Sequence, residues 1–257
     1  MDHGVSLSVS GGVATILLDR PVRRNALGLE TWLALTQLVE AADGDPAIDA
    51  IVLRGAGGTF GAGNDISEFG ALHGDPTAAM TFARAMADAM RAVEMATKPV
   101  IVAIEGCCYG ASVALALAGD LRFAADDAMF AITPAKLGAL YLQSDLHRLV
   151  AAVGAGQARR MIYTAEPVDA TRALAIGLVD EVVPVDGFEA ALARLTGIIR
   201  RGSPFTLRRS KVMLREVGHG TPLETEASLG EFVVATQGDD FREGIEAFLN
   251  KRQPRFR

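Results

Sequence analysis

Two glycine-rich turns, each leaving a short apolar strand, constrain this chain more than any other feature. Arg54-Gly55-Ala56-Gly57-Gly58-Thr59-Phe60-Gly61-Ala62-Gly63-Asn64-Asp65 follows Ile51-Val52-Leu53, and Glu105-Gly106-Cys107-Cys108-Tyr109-Gly110-Ala111-Ser112 follows Val100 to Ile104. Strands that turn in this way and resume as helices build stacked α/β units, not a bundle of helices. The turns also expose backbone N–H groups. Donors aimed from two such turns at one point can hold a developing oxyanion, which is worth about 3 kcal/mol or more per donor. This is an enzyme's feature before it is a binder's.

The pattern around the turns supports that layout. Val5 to Val9 and Val13 to Leu18 flank Ser10-Gly11-Gly12 and read as a hairpin, and Leu29 to Ala42 has helical periodicity up to the Asp45-Pro46 stop. Asp75-Pro76 is an N-cap and first helical position for a helix reaching about Ala96, which Lys98-Pro99 ends. After the second turn come a short helix, Ala111 to Ala118, and short strands at Leu121 to Ala124 and Ala128 to Ile132. From Gln143 helical patterns dominate (143–153, 155–163, 170–176, 186–201, 205–217, 222–236 and 240–249), with one strand signal at Leu178 to Val183. The expected division is a core over 1–189 and a helical assembly region over 190–257.

Composition narrows the function. The chain has 257 residues, half of them apolar, enough to bury a substantial core. A net charge of -6 with interspersed signs provides no field for nucleic acid, although Lys251, Arg252, Arg255 and Arg257 form a local cationic tail. Met1 to Gly12 lacks a signal-peptide layout, and Glu105, Gly106 and Gly110 interrupt the apolar stretch Pro99 to Ala118, so no membrane insertion is expected. Adjacent Cys107 and Cys108 staple nothing distant and match no zinc spacing, which fits a reducing, cytoplasmic setting. His3, His73, His147 and His219 are scattered, and no metal site is expected.

Gly110-Ala111-Ser112-Val113-Ala114 is a poor nucleophile elbow, because Glu105 to Tyr109 separate Ser112 from the strand and only His219 lies far downstream. A packed Ser112 fits better. Gly55-x-Gly57-x-x-Phe60 lacks the third glycine of a dinucleotide fingerprint, so no nicotinamide cofactor is expected. Met80, Met86 and Met90 suit either a pliable acyl pocket or simple core filling. Arg23 and Arg24 before Asn25-Ala26-Leu27 can meet phosphates, though lone surface arginines commonly do nothing specific.

Together the motifs resemble the enoyl-CoA hydratase/isomerase (crotonase) superfamily over nearly the whole chain. They are Arg23-Arg24-Asn25-Ala26-Leu27, the first turn through Asp65, Lys98 to Gly110, Asp120-Leu121-Arg122-Phe123-Ala124, Leu137-Gly138, and Ala173-x-x-x-Gly177-Leu178-Val179-x-x-Val182-Val183. The resemblance implies an α/β spiral of ββα repeats, C-terminal helices that form a homotrimer or hexamer, and acyl-CoA substrates with no separate cofactor. It implies an oxyanion hole from the N–H groups of Asn64 and Ala111. Coenzyme A contacts are implied at Arg23, Arg24, Ala26, Ala62, Asp65 and Ile66, with the cationic tail adding a phosphate contact.

Where the family's hydratases carry two glutamates, this chain has Ala114 and Pro134. Hydration needs one group to activate water and another to protonate carbon, so ordinary hydratase activity is not expected. Decarboxylation of a 2-carboxyacyl-CoA reaches the same enolate without removing a proton. A glutamate about 4 Å from the substrate carboxylate would repel it by roughly 1–4 kcal/mol. Thr133-Pro134-Ala135-Lys136-Leu137-Gly138-Ala139-Leu140-Tyr141 and Thr164-Ala165-x-Pro167-Val168 resemble the methylmalonyl-CoA decarboxylase branch. That likeness places Tyr141 facing the substrate, orienting its carboxylate or a water. The branch favours histidine where this chain has Asn64. The alternatives are a hydratase or isomerase using Asp65, Glu68 or Asp145 as an acid, and a catalytically silent acyl-CoA-binding homologue.

Overall fold

The computed structural model describes residues 3–218, 220 and 223–256, so His219 and Arg257 lie outside the described residues. In chain order, β1 (Val5–Ser10) and β2 (Val13–Leu18) lead into α1 (Leu29–Gly44), β3 (Ala50–Gly55), the short α2 (Phe69–Leu72) and α3 (Pro76–Met95). Then come β4 (Val100–Ile104), β5 (Cys107–Tyr109), α4 (Ala111–Ala118), β6 (Leu121–Ala125), β7 (Met129–Ala131), α5 (Pro134–Leu137) and α6 (Gln143–Thr164). β8 (Val168–Asp169), α7 (Ala170–Ala175), β9 (Glu181–Val183) and helices α8 (Phe188–Arg200), α9 (Pro204–Gly218), α10 (Glu226–Gln237) and α11 (Asp239–Leu249) follow.

The main sheet has the order β1-β2-β3-β4-β6-β9, antiparallel in the β1–β2 hairpin and parallel thereafter. Its central strand β4 is apolar and buried throughout because both faces of the sheet are covered there, as parallel sheets require. One face packs on a large core that includes Trp32, Leu35, Met90 and Leu115. The other packs on α8, where Phe123 and Phe188 meet with ring centroids 5.0 Å apart. Each such fully buried large side chain contributes about 1.5–3 kcal/mol.

A second, smaller sheet, β5-β7-β8, was only partly foreseen. The stretch Glu105 to Ser112, expected as one glycine turn, contains strand β5, so the repeat is strand, strand, helix. Three residues are too short to show a period of two. Their pairing comes from β7 on one side and from a bridge between Gly61 and Cys108 on the other. A further bridge joins Leu27 to Asn64. This layer lays the two glycine turns side by side.

Other local features follow the sequence closely. Asp75 Oδ1 accepts from Thr77 N and Ala78 N at 2.9 Å each, with Pro76 opening α3. The two helical patterns at 143–153 and 155–163 are halves of α6, broken at Gly154 (φ 74, ψ 157). The predicted strand Leu178 to Val183 narrows to β9, and Leu178 and Val179 instead fill the core. Lys98, 2% exposed, donates to the Ala42 carbonyl at 2.8 Å and to the Asp45 carbonyl, satisfying groups at the end of α1. No helix among the described residues is long and apolar enough to cross a membrane.

Candidate active site

Glycine is required where the two turns touch. Gly63 has φ +95, and a Cβ there would stand 2.8 Å from the Tyr109 carbonyl oxygen and 3.1 Å from the Ala111 nitrogen. Gly110 (φ 52, ψ -124) occupies backbone space that side chains rarely enter, and it reverses the chain between β5 and α4. Ser112 fastens the contact: its Oγ accepts from Gly63 N at 3.0 Å in a fully buried position. β5 does lead almost directly into Ser112, unlike the sequence expectation, yet its hydroxyl is committed to the backbone.

The amides of Asn64 and Ala111 are the outcome of this packing. Neither has a protein acceptor among the described residues, while their neighbours do: Leu27 N donates to Gly63 O at 2.8 Å, Asp65 N to Leu27 O at 2.9 Å, and Gly110 N to Ala131 O at 2.8 Å. Ala111 is the first residue of α4, so its N–H has no partner within the helix. Each of these amides shares a peptide plane with a carbonyl that is held from the other side. Leu27 N–H holds the Gly63 carbonyl, and the Tyr141 hydroxyl donates to the Gly110 carbonyl at 2.5 Å. A peptide whose oxygen accepts a hydrogen bond is oriented and polarised, and its N–H becomes a better donor.

Both residues line a cavity of about 180 Å³ between α3 and the segment 133–145. Its walls are mostly apolar, including Phe69 and Phe82, whose rings meet edge to face at 5.9 Å. Of the three methionines singled out, Met86 lines the cavity, Met90 is core and Met80 is exposed. Pro134 lines the wall as the first residue of α5, and Ala114 is fully buried in α4. Asp145 lines the same cavity, is 1% exposed, and pairs with Arg148 Nη1 at 3.0 Å, while Arg148 Nη2 reaches Glu94 at 2.7 Å. Burial raises the Asp145 carboxyl against the opposing pull of Arg148. Burial also pushes the Tyr141 phenol well above its usual range, with the nearby Cys108 and Asp145 adding to the effect, so it stays protonated.

The family model for enoyl-CoA hydratase/isomerase matches residues 8–257. The chain belongs to the enoyl-CoA hydratase/isomerase family. Its fold is the α/β crotonase fold with two sheets and C-terminal helices, superposing with TM-score 0.95 on an enoyl-CoA hydratase/isomerase family protein from Hyphomonas neptunium at 38% identity, over 99% of this chain and 97% of that one. The crotonyl-CoA hydratase of Syntrophomonas wolfei is 32% identical over 247 residues, 95% of this chain and 94% of that protein. The methylmalonyl-CoA decarboxylase of Escherichia coli is 31% identical over 216 residues, 82% of each.

In this chain the residues expected around coenzyme A divide into two groups. Ala62 and Ile66 line the cavity. Arg23, Arg24, Ala26 and Asp65 belong to the neighbouring 20–27 segment and first turn. Asp65 is buried and committed: Arg20 Nη2 lies at 3.0 Å, Arg23 Nη1 at 2.9 Å and Ser67 Oγ donates at 2.6 Å. Burial alone would raise its carboxyl, but the hydrogen bonds from Ser67, Arg23 and Arg20 outweigh it and hold the group low. Arg24 is exposed in the left-handed region (φ 49), and its carbonyl accepts from Ala62 N at 2.8 Å. Glu68 Oε2 accepts from Leu29 N at 2.8 Å and so caps α1. Of the three acids named as alternatives, only Asp145 lines the cavity.

Within the cationic tail, Arg252 is engaged by acids of its own chain. Arg252 is bound to Glu243 at 2.6 and 2.9 Å and to Glu246 at 3.2 Å, and Arg255 N donates to Glu243 at 2.6 Å. Arg252 is neutralised inside its own chain, because the turn after α11 folds back onto that helix.

Asp65→Asn is expected to destabilise the protein by about 1–3 kcal/mol at neutral pH, less than for a fully buried pair because both guanidiniums keep water. The folded pKa of Asp65 lies below the unfolded one, so the wild-type advantage is full above about pH 4 and is lost as pH falls through the lower folded value. Urea melts of both proteins from pH 7 to 3 measure this, and parallel curves across that range would contradict it.

Sequence reasoning missed one residue of the site: Trp32 reads as one more apolar position of α1, and it reaches Asn64 only through tertiary contact, its indole Nε1 3.0 Å from Asn64 Oδ1.

Proposed function

We propose that this protein decarboxylates a short 2-carboxyacyl-CoA thioester, of the methylmalonyl-CoA kind. One observation carries the reading: Asn64 and Ala111, whose backbone amides have no protein acceptor among the described residues, line a small, mostly apolar cavity, and where the resemblance puts the two hydratase carboxylates stand Pro134 in the cavity wall and Ala114 buried in α4. Heterolysis of the bond between C2 and the carboxylate carbon sends its electron pair into the thioester. Carbon dioxide leaves, and the charge accumulates on the thioester oxygen, where the Asn64 and Ala111 N–H groups stabilise it. The enolate then takes one proton from water at C2, giving the shortened acyl-CoA. The apolar wall favours neutral CO2 over the carboxylate.

The assigned roles follow. Asn64 and Ala111 are the oxyanion donors. Tyr141, whose hydroxyl donates to the Gly110 carbonyl at 2.5 Å, acts through the Gly110–Ala111 peptide. Cavities of about 150 Å³ hold a guest the size of benzene, so the acyl group is short. Arg23, Arg24, Ala26, Ala62, Asp65 and Ile66 frame the coenzyme A approach, with Asp65 holding Arg20 and Arg23 in place. The exposed apolar side chains Leu214, Phe232, Phe248 and Leu249 on α9, α10 and α11 favour a homotrimer or hexamer in which these helices meet other copies.

A second reading has a specific observation behind it. Asp145 is a buried acid in the cavity wall, and a hydratase or isomerase using it as the proton carrier would hydrate crotonyl-CoA and lose that activity in Asp145→Asn.

The test is mass-resolved turnover of crotonyl-CoA, malonyl-CoA, methylmalonyl-CoA and ethylmalonyl-CoA. The expected result is loss of CO2 from the malonyl series only, with kcat reduced about 5–30-fold in Tyr141→Phe, the equivalent of about 1–2 kcal/mol, and KM little changed. Hydration without CO2 loss would transfer the assignment to Asp145. Binding of every thioester with turnover of none would make the chain a silent homologue.

A further inference from the structure

No cation lines the cavity among the described residues; the ionisable groups there are Asp145, engaged with Arg148, and Tyr141, engaged with the Gly110 carbonyl. Asn64 is arranged differently. Trp32 is completely buried on α1, and its indole Nε1 lies 3.0 Å from Asn64 Oδ1. An indole N–H can only donate. The atom facing it must therefore be the carboxamide oxygen, since the reverse orientation would oppose two donors. The amide nitrogen is turned to the other side, where Met86 Sδ, a weak acceptor, lies at 3.6 Å. Asn64 and Met86 both line the cavity, and the second Nδ2 hydrogen has no acceptor among the described residues.

We propose that Asn64 Nδ2 is the side-chain donor for one oxygen of the substrate's 2-carboxylate, and that Trp32 is a positioning residue that keeps it aimed. The proposal rests on the decarboxylase reading, because a 2-carboxy thioester brings a second acceptor besides the thioester oxygen. The choice of a neutral donor has a physical reason. A guanidinium or ammonium would bind the carboxylate strongly before it leaves and hardly at all afterwards, which lowers the ground state and slows the reaction. A carboxamide orients the same group with less of that penalty. The pair is therefore a specificity device: it recognises thioesters that carry the leaving carboxylate and is indifferent to those that do not.

The test compares wild type, Asn64→Asp and Trp32→Phe as full chains in their native assembly. The quantity read is the ratio of KM for methylmalonyl-CoA to the inhibition constant of propionyl-CoA, which lacks the carboxylate. Asn64→Asp keeps the acceptor for Trp32 and the backbone N–H, but replaces the donor by an anion. It is expected to raise the ratio at least tenfold, with the rise shrinking as pH falls and the new carboxyl protonates. Trp32→Phe is expected to raise it about threefold, because the carboxamide can then turn over. Should that variant fail to fold, Asn64→Ala, expected to raise the ratio about fivefold, takes its place. Ratios within twofold of wild type in both variants would overturn the proposal. Absence of CO2 release by wild type would sink the decarboxylase reading instead, and the same ratio taken from dissociation constants of the two thioesters would then still decide whether Asn64 recognises the carboxylate.

Discussion

Gly63→Ala is expected to lower kcat/KM for any acyl-CoA substrate at least about 100-fold, the loss seen when one oxyanion donor is removed. The added methyl would stand 3.1 Å from the Ala111 nitrogen and 2.8 Å from the Tyr109 carbonyl, in the seam where the two turns meet. Either the methyl covers the Ala111 N–H or the turns separate, and in both cases the two donors no longer converge. The positive φ adds about 1–3 kcal/mol of backbone strain, so stability falls as well. Rates measured well below the melting temperature of the variant, beside its circular dichroism, separate the two effects. A folded Gly63→Ala protein with turnover near wild type would show that the Asn64 and Ala111 amides do not act together.

Pro134→Glu is the second large effect expected, and it is selective. Position 134 opens α5, where an acidic residue suits the helix terminus, so the fold should tolerate the change. The new carboxylate enters the cavity wall that a 2-carboxyacyl substrate must approach. At about 4 Å the repulsion of roughly 1–4 kcal/mol predicts a loss of about 5–1000-fold in kcat/KM for methylmalonyl-CoA. Inhibition by propionyl-CoA should change little, and the defect should ease as pH falls and the glutamate protonates. Steady-state rates and propionyl-CoA inhibition between pH 5 and 8 provide the check, written as a ratio so that general damage cancels. An equal loss for both thioesters would mean that the substrate carboxylate is not near this wall, and the case for decarboxylation would lose its main support.

Much of the architecture was legible because its signals are local. Asp75-Pro76 places the start of α3 by side-chain capping, Lys98-Pro99 ends the segment that follows it, and the short, β-branched apolar run Val100 to Ile104 between Pro99 and Gly106 reads as a buried strand. Strand β5 was not legible: Cys107–Tyr109 owes its conformation to β7 and Gly61, which are distant in sequence. The same holds for charge. Asp65, Glu68 and Asp145 look alike as acids in the sequence, but one is held by Arg20 and Arg23, one caps α1, and one faces the cavity.

The role of Tyr141 shows the same division within the site. Its spacing after Leu137-Gly138 points to the substrate, and in the structure it lines the cavity while its hydroxyl donates to the Gly110 carbonyl. By itself, then, the sequence determined the family, the order of the elements, the two glycine turns and the loss of the two carboxylates, since each is a matter of which residue stands at which position. The tertiary structure alone decided which polar groups are left with unused hydrogen-bonding capacity. That capacity depends on what every neighbour donates and accepts once the chain is packed, and Trp32 against Asn64 and Tyr141 against Gly110 are contacts between segments that no local pattern brings together.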